Sequence, residues 1–575
     1  MSPDAGFPGG LPPGAGGRVP AGAGARAVAP LVPPHAADPA VSPSPRPFNP
    51  ALDPVAPRAR RRPARKAQKN SPIGPVWVPA IMFILMFAMC FMHMGRLVEL
   101  FYPAAAVLIA LWLYRVHPAH YLGFTCWVFF LSAEIRRVGD FFAGGFNPVS
   151  TIMVAPLACA AISGFALITD MKILGQRRAM PLALVLSALL YTWLIGVTRA
   201  GFSAATFALA NAIFPALVGF RFVSTWQAYP DYQRVLLSTF IFGSIVMGAY
   251  GIYEFVSPPP WDLFWLLASG MTSEGQPVPF GLRIASTMNS SGPFANTALV
   301  CILMVLAGKG KLRIAAAIML PALMFTAVRS AWGGLLIGLI YPIAMLDGRS
   351  RIRMIAGIVA CVAICLPLTM IDEVSKHFTS RLETVQNLGQ DDSYQVRVGM
   401  YSSFMGRALT DISGQGFGTT GVASKLADTS NVIAVFDSGV MEVPYTMGWP
   451  GSLLYVSGIV MLIMRAFAAS RARPHDRFGV CGVGIAVAIV AMMLFSNTLA
   501  GMTGMFFFIG VLMPVNGLRY VRETGAAARR EAAKRQATQA AQAAQAAQAP
   551  PAPVVVPQYG PHTVPSVPFH SGAAR

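Results

Sequence analysis

An all-α fold, a polytopic bundle of about fourteen membrane-crossing helices, is predicted by three observations. Between Trp77 and Val521 the chain divides into apolar stretches, each near the ~20 residues that a helix needs to cross hydrocarbon, separated by short polar joints. Of its 575 residues 55% are hydrophobic and 12% charged, and the mean hydropathy is +0.55. Apolar stretches on that scale exclude an ordinary soluble domain, which has nowhere to bury them. Alternate joints are crowded with Lys and Arg: Lys172, Arg177 and Arg178; Lys309, Lys311 and Arg313; Arg349, Arg351 and Arg353; Arg465, Arg471, Arg473 and Arg477. Such joints mark the cytoplasmic face.

Residues 1–75 are rich in Pro, Gly, Ala and Arg and contain no apolar core for a signal peptide, so they read as a disordered cytoplasmic tail. The run from Arg58 to Lys69 precedes the first span and holds the N-terminus inside. Spans are expected at 76–94, 97–114, 119–135, 149–168, 179–197, 202–220, 235–255, 292–307, 312–328, 331–346 and 354–371. A large outer loop follows at 372–448, then spans at 449–467, 478–496 and 501–518. An even number of crossings returns the C-terminus inside, where Arg519, Arg522, Arg529, Arg530, Lys534 and Arg535 agree with it. The tail at 519–575 passes from Ala/Gln repeats of transient helicity to a disordered Pro-rich end. Two outer segments are too long for hairpins, 256–291 and 372–448, and loops of that length usually carry function.

The net charge of +20 lies in the cytoplasmic joints and tails, so it orients the protein in a membrane and implies no nucleic-acid partner. All seven cysteines fall within apolar spans, which leaves none for an outer disulfide framework. There is no P-loop, no Gly-rich dinucleotide loop and no His-Glu-x-x-His, so ATP-driven transport and zinc proteolysis find no support. Asp391-Asp392 could meet a hard cation, but adjacent residues diverge on a helix and a solvating role is the better reading; no metal or cofactor is expected.

The outer joints should be poor in Lys and Arg. They nevertheless hold Arg136, Arg137, Arg199, Arg283 and Arg329, together with Glu99, Glu134, Asp140 and Glu254. A functional pocket on the outer face accounts for such residues, with a purely structural anchor or an ion pair of Arg329 with Glu254 or Glu134 as the alternative. Guanidinium offers a planar fork of donors suited to phosphate oxygens and stays charged whatever surrounds it.

Thr326-Ala-Val-Arg329-Ser330-Ala-Trp332 resembles the Ser-Arg-centred signature of the O-antigen ligase and polymerase superfamily. Arg283-Ile-Ala-Ser286-Thr287, running on to Gly292-Pro293-Phe294-Ala295-Asn296, is similar to that family's Arg-led start of a span. Arg397, Tyr401 and Asp411-Ile-Ser-Gly414-Gln-Gly416-Phe-Gly418 resemble its large-loop pattern, and Asp437 to Gly451 the segment leading back into the membrane. Together these matches cover about 283–465 in order. Family ligases typically carry a His in the last segment; here Asp437 stands there, which favours polymerase over ligase.

The resemblance implies an inverting glycosyltransferase of the bacterial inner membrane. It would join undecaprenyl-pyrophosphate-linked oligosaccharides, donor and acceptor, into an exopolysaccharide or O-antigen at the periplasmic face. It also implies catalytic roles for Asp437, Arg397 and Arg329, and substrate contacts at Arg283, Arg199, Arg381, His377, Glu442 and Tyr445. Glu442 and His377 are the alternatives to Asp437 as base. The expected partners are membrane lipid and the chain-length regulator and flippase of the same pathway. A lipid-linked oligosaccharide flippase is the competitor from another class, but it should show similar halves, and no internal repeat is evident.

Overall fold

In the computed structural model the described residues are 74–308, 315–366, 410–427 and 438–548. The chain separates into Met1–Lys69 and Asn70–Arg575, and the architecture is that of the second unit. The predicted tail over residues 1–73, Asp391-Asp392 and the Pro-rich end lie outside the described residues.

Helices follow one another as α1 (Gly74–Phe91), α2 (Gly95–Val116), α3 (Pro118–Phe142), α4 (Ala155–Ala161), α5 (Phe165–Thr169), α6 (Met180–Ala200), α7 (Phe202–Ser224) and α8 (Tyr229–Val256). They continue as α9 (Pro260–Ser269), α10 (Ser291–Ala307), α11 (Ala315–Phe325), α12 (Arg329–Met345), α13 (Gly348–Cys365), α14 (Gly439–Arg471), α15 (Arg477–Met492) and α16 (Gly501–Gln548). Among the described residues there is no strand, only an isolated bridge between Gly275 and Leu282.

Among the described residues eight segments are long and apolar enough to cross a membrane: α1, α2, Thr151–Thr169, α6, α7, Trp226–Val256, α14 and the first part of α16. Each of the fourteen expected spans overlaps a helix, but α10, α11 and α15 are shorter apolar helices. The outward faces carry Ile84 at 66%, Leu108 at 67%, Leu336 at 67% and Leu453 at 74% exposure. A surface so apolar belongs against lipid, and the chain is a multi-pass helical membrane protein.

Without a hydrophobic force between helices in lipid, close packing must hold the bundle, and small residues permit it. Gly338 of α12 meets Gly484 of α15, and Gly482 meets Gly510 of α16, so near that a methyl on Gly484, Gly482 or Gly510 would clash with the backbone opposite. α6 packs along α14, where Gly458 lies against Pro181 and Val185.

Three of the four basic joints converge on one end of the bundle, and the fourth, Lys309 to Arg313, lies outside the described residues. Arg465 donates to the carbonyls of Arg177 and Arg178, Arg178 pairs with Glu523 at 3.2 Å, and Arg477 donates to Ser350 at 2.9 Å. The outer joints meet at the other end, where Asn147 donates to Glu99 and Arg199 pairs with Asp411.

Two segments differ from expectation. α16 does not stop near 518 but continues to Gln548, because Ala, Arg, Lys, Glu and Gln all favour helix. The last part of the expected loop, from Gly439, already belongs to α14, and Gly448 at φ 60° kinks that helix where the expected span begins.

Candidate functional site

At the end of the bundle away from the basic joints, two sequence-distant turns lie on each other. α11 ends at Phe325, and Ala327 takes φ 55°, a left-handed conformation costly for a residue with a Cβ. Thr326 accepts from the Val328 amide at 3.2 Å, and the chain reverses so that Arg329 opens α12. The segment 283–290 covers this turn. Ile284 N donates to Phe325 O, and half-buried Arg283 donates to Thr326 O at 3.1 Å and to Ser273 O at 3.1 Å. Ser286, at φ 51°, is a second strained position of the same layer. The structure thus brings together the segments of Arg283 and Arg329.

Beneath them Arg137 of α3 is buried among three acidic side chains. It lies 2.9 Å from Glu134, 2.9 Å from Asp262 of α9 and 3.9 Å from Glu254 of α8. It also donates to the carbonyls of Ser286 and Met288. The adjoining cavity is lined by Arg137, Glu254, Asp262, Trp265, Glu274 and Arg283 among others, and is about 20 Å³. That is room for about one water and far too little for a sugar or pyrophosphate. Glu134 and Glu254 therefore face Arg137, which accounts for them without Arg329.

A third feature is the segment 410–427. Asp411 accepts from Arg199 at 2.8 Å and from Gln415, and Ser413 bonds both Arg199 and Asp411. Desolvation opposes ionisation of Asp411, but the Arg199 and Ser413 hydrogen bonds win and hold its carboxyl below the usual range. From this anchor Gly414-Gln-Gly416-Phe-Gly418 enters the bundle. Gln415 N and Gly416 N donate to Tyr445 O and Thr446 O, and Phe417 N donates to Thr192 O. A Cβ on Gly416 would meet the Gly196 backbone, and one on Gly414 would meet Gly448, so these contacts require glycine on both sides. Glu442, on the first turn of α14, accepts from Thr420 at 3.3 Å and bonds Asn497.

Of the expected site residues, Arg283 and Arg329 share one layer, Arg199 anchors the glycine loop, and Glu442 and buried Tyr445 line its far side. Asp437, Arg397, Arg381 and His377 lie outside the described residues. Arg136 pairs with Asp140 at 3.6 Å, Arg137 with Glu134 at 2.9 Å and Arg199 with Asp411 at 2.8 Å. Sequence reasoning missed Tyr250, Trp261, Asp262, Trp265, Glu274, Thr420 and Asn497. Only the length of 256–291 pointed toward most of them. Among the described residues no set of three or more His, Cys, Asp or Glu gathers to hold a metal. Compared with known families and curated proteins, the sequence matches no family model and no curated protein.

Proposed function

We propose that the chain is an inverting glycosyltransferase of the bacterial inner membrane, with both termini cytoplasmic. It polymerises undecaprenyl-pyrophosphate-linked repeat units into an exopolysaccharide or O-antigen at the periplasmic face. The observation that carries this reading is the stacking of the Arg283 segment on the Thr326–Arg329 turn, at the end of the bundle away from the basic joints. Two guanidinium-bearing turns held by backbone contacts form a fixed cationic layer suited to a pyrophosphate.

In the proposed reaction the acceptor-sugar hydroxyl oxygen forms a bond to the donor's anomeric carbon as the bond from that carbon to the pyrophosphate oxygen breaks. Undecaprenyl pyrophosphate leaves with the electron pair. Arg283, Arg329 and Arg397 balance its developing charge, and the hydroxyl proton passes to Asp437. The glycine loop is tied to α6 by Arg199 and to α14 by Thr420. The chain-length regulator and flippase of the pathway are its expected partners.

Deleting the gene and analysing lipid-linked glycans tests the reading. Accumulation of single repeat units on lipid supports polymerisation. Long lipid-linked chains would instead assign ligation, and single units retained on the cytoplasmic leaflet would assign flipping.

A further inference from the structure

The acids around Arg137 pose a problem of proton number. The Tyr250 hydroxyl oxygen lies 2.6 Å from Glu134 Oε1 and 2.7 Å from Asp262 Oδ2, and Trp261 Nε1 shares its single hydrogen between that oxygen at 2.8 Å and Glu134 Oε1 at 2.9 Å. A phenol has one hydrogen, so it donates to one of the two carboxyls. The other contact, as short as a charge-assisted hydrogen bond, then needs a hydrogen from the carboxyl itself. Two carboxylates and one phenol cannot make both contacts.

The rest of the surroundings are consistent with that count. α3 contributes Glu134 and Arg137, α8 contributes Tyr250 and Glu254, α9 contributes Asp262, and the segment behind it contributes Glu274 and Arg283. Arg137 alone faces three acids within 4 Å, with Glu274 and Arg283 farther along the same cavity. Burial raises the Asp262 carboxyl above the usual range, offset only in part by Arg137 and the Tyr250 hydrogen bond.

An independent observation lies in the cavity. Trp265, 7% exposed, lines it and has an indole N–H with no hydrogen-bond partner among the described residues, while Asp262 Oδ1 is ion-paired with Arg137 Nη1 at 2.9 Å and takes no further bond there. The space is that of about one water. A bare metal cation is a poor occupant, because the Trp265 N–H and the Arg137 guanidinium both present positive hydrogen to it. A water accepts from Trp265 and donates to Asp262, which suits both groups.

We propose that Glu134, Tyr250, Asp262 and the adjoining cavity bind one hydrated proton. The proton is shared by Glu134 and Asp262 through the Tyr250 oxygen, and the water sits between Trp265 and Asp262. This site stands apart from the transferase reading, since it rests on the hydrogen count and the cavity alone. Its consequence is mechanical: α9 and the 283–290 segment are fastened to α3 and α8 through these groups, so loss of the proton loosens the layer that carries Arg283.

The test uses the full chain in lipid nanodiscs and infrared spectroscopy in heavy water, where the C=O stretch of a protonated carboxyl is distinct from carboxylate. The wild type should show that band at neutral pH and lose it in alkali. Glu134→Gln or Asp262→Asn should each abolish it, because the amide then supplies the missing hydrogen and the remaining acid ionises; Glu254→Gln should keep it. Should both variants fail to fold, Tyr250→Phe decides, since it keeps every acid yet must move the titration midpoint. A wild type without the band, a band that survives both amide variants, or an unmoved midpoint in Tyr250→Phe overturns the proposal. A midpoint that shifts when potassium is replaced by sodium at constant ionic strength overturns it too, assigning the site to a metal cation.

Discussion

Arg136, Arg137 and Arg199 lie in ion pairs, and Arg283 donates to two backbone carbonyls beside the turn that leads into Arg329. If Arg329 contacts pyrophosphate, Arg329→Lys should fold normally and lose roughly 30- to 1000-fold in transfer rate, since an ammonium cannot reproduce a bidentate contact worth on the order of 2–4 kcal/mol. Transfer assays on equal amounts of purified protein measure it. Arg137→Gln should behave in the opposite way: it leaves three acids facing no guanidinium, and thermal unfolding should report a loss of about 3–5 kcal/mol. The sequence marked all five arginines as misplaced but could not sort them. Arg137 meets Asp262, and Arg199 meets Asp411, far along the chain, and no local spacing records such pairs.

At the scale of elements, the glycine loop is the feature on which the site's geometry depends. Gly416→Ala should lower both stability and activity, because its Cβ would stand 2.2 Å from Gly196 N at φ 79°. Gly421→Ala is the matched control: at φ 64° with nothing within 4 Å, it carries only the strain of a left-handed alanine, roughly 1–2 kcal/mol. Comparable melting losses in the two variants would remove the wedge from the account. The loop's anchor predicts a pH dependence. Asp411 ionises below its usual 3.8 in the folded chain, so its contribution is present above 3.8 and is lost as pH falls through the lower folded value. Asp411→Asn should flatten that acid limb of the melting curve. The turn-forming run Gly414 to Gly418 was legible in the sequence, and so was the glycine at Gly448. That they interlock with each other and with Gly196 was not, since close approach of backbones is a tertiary property.

For the whole molecule, the apolar stretches were legible because lipid imposes a length and a composition on every span. The alternation of basic joints likewise anticipated that the joints at 172–178, 349–353 and 465–477 share an end. The length of α16 was not: the Ala/Gln repeats carry helix propensity but no apolar stripe, and hydropathy is blind to them. Sidedness is open to labelling. A cysteine placed at Val422, 70% exposed in the glycine loop, should react with an impermeant reagent from outside, whereas one at exposed Arg349 should not. The reverse pattern would put the Arg283 and Arg329 layer in the cytoplasm. The most direct measurement of the central claim is chain extension by the purified protein, supplied with undecaprenyl-pyrophosphate-linked repeat units isolated from the deletion strain. The account predicts a ladder of lengthening lipid-linked glycans that Arg329→Lys all but abolishes. A folded protein that leaves the units single, or an Arg329→Lys variant that extends them at the parental rate, contradicts it.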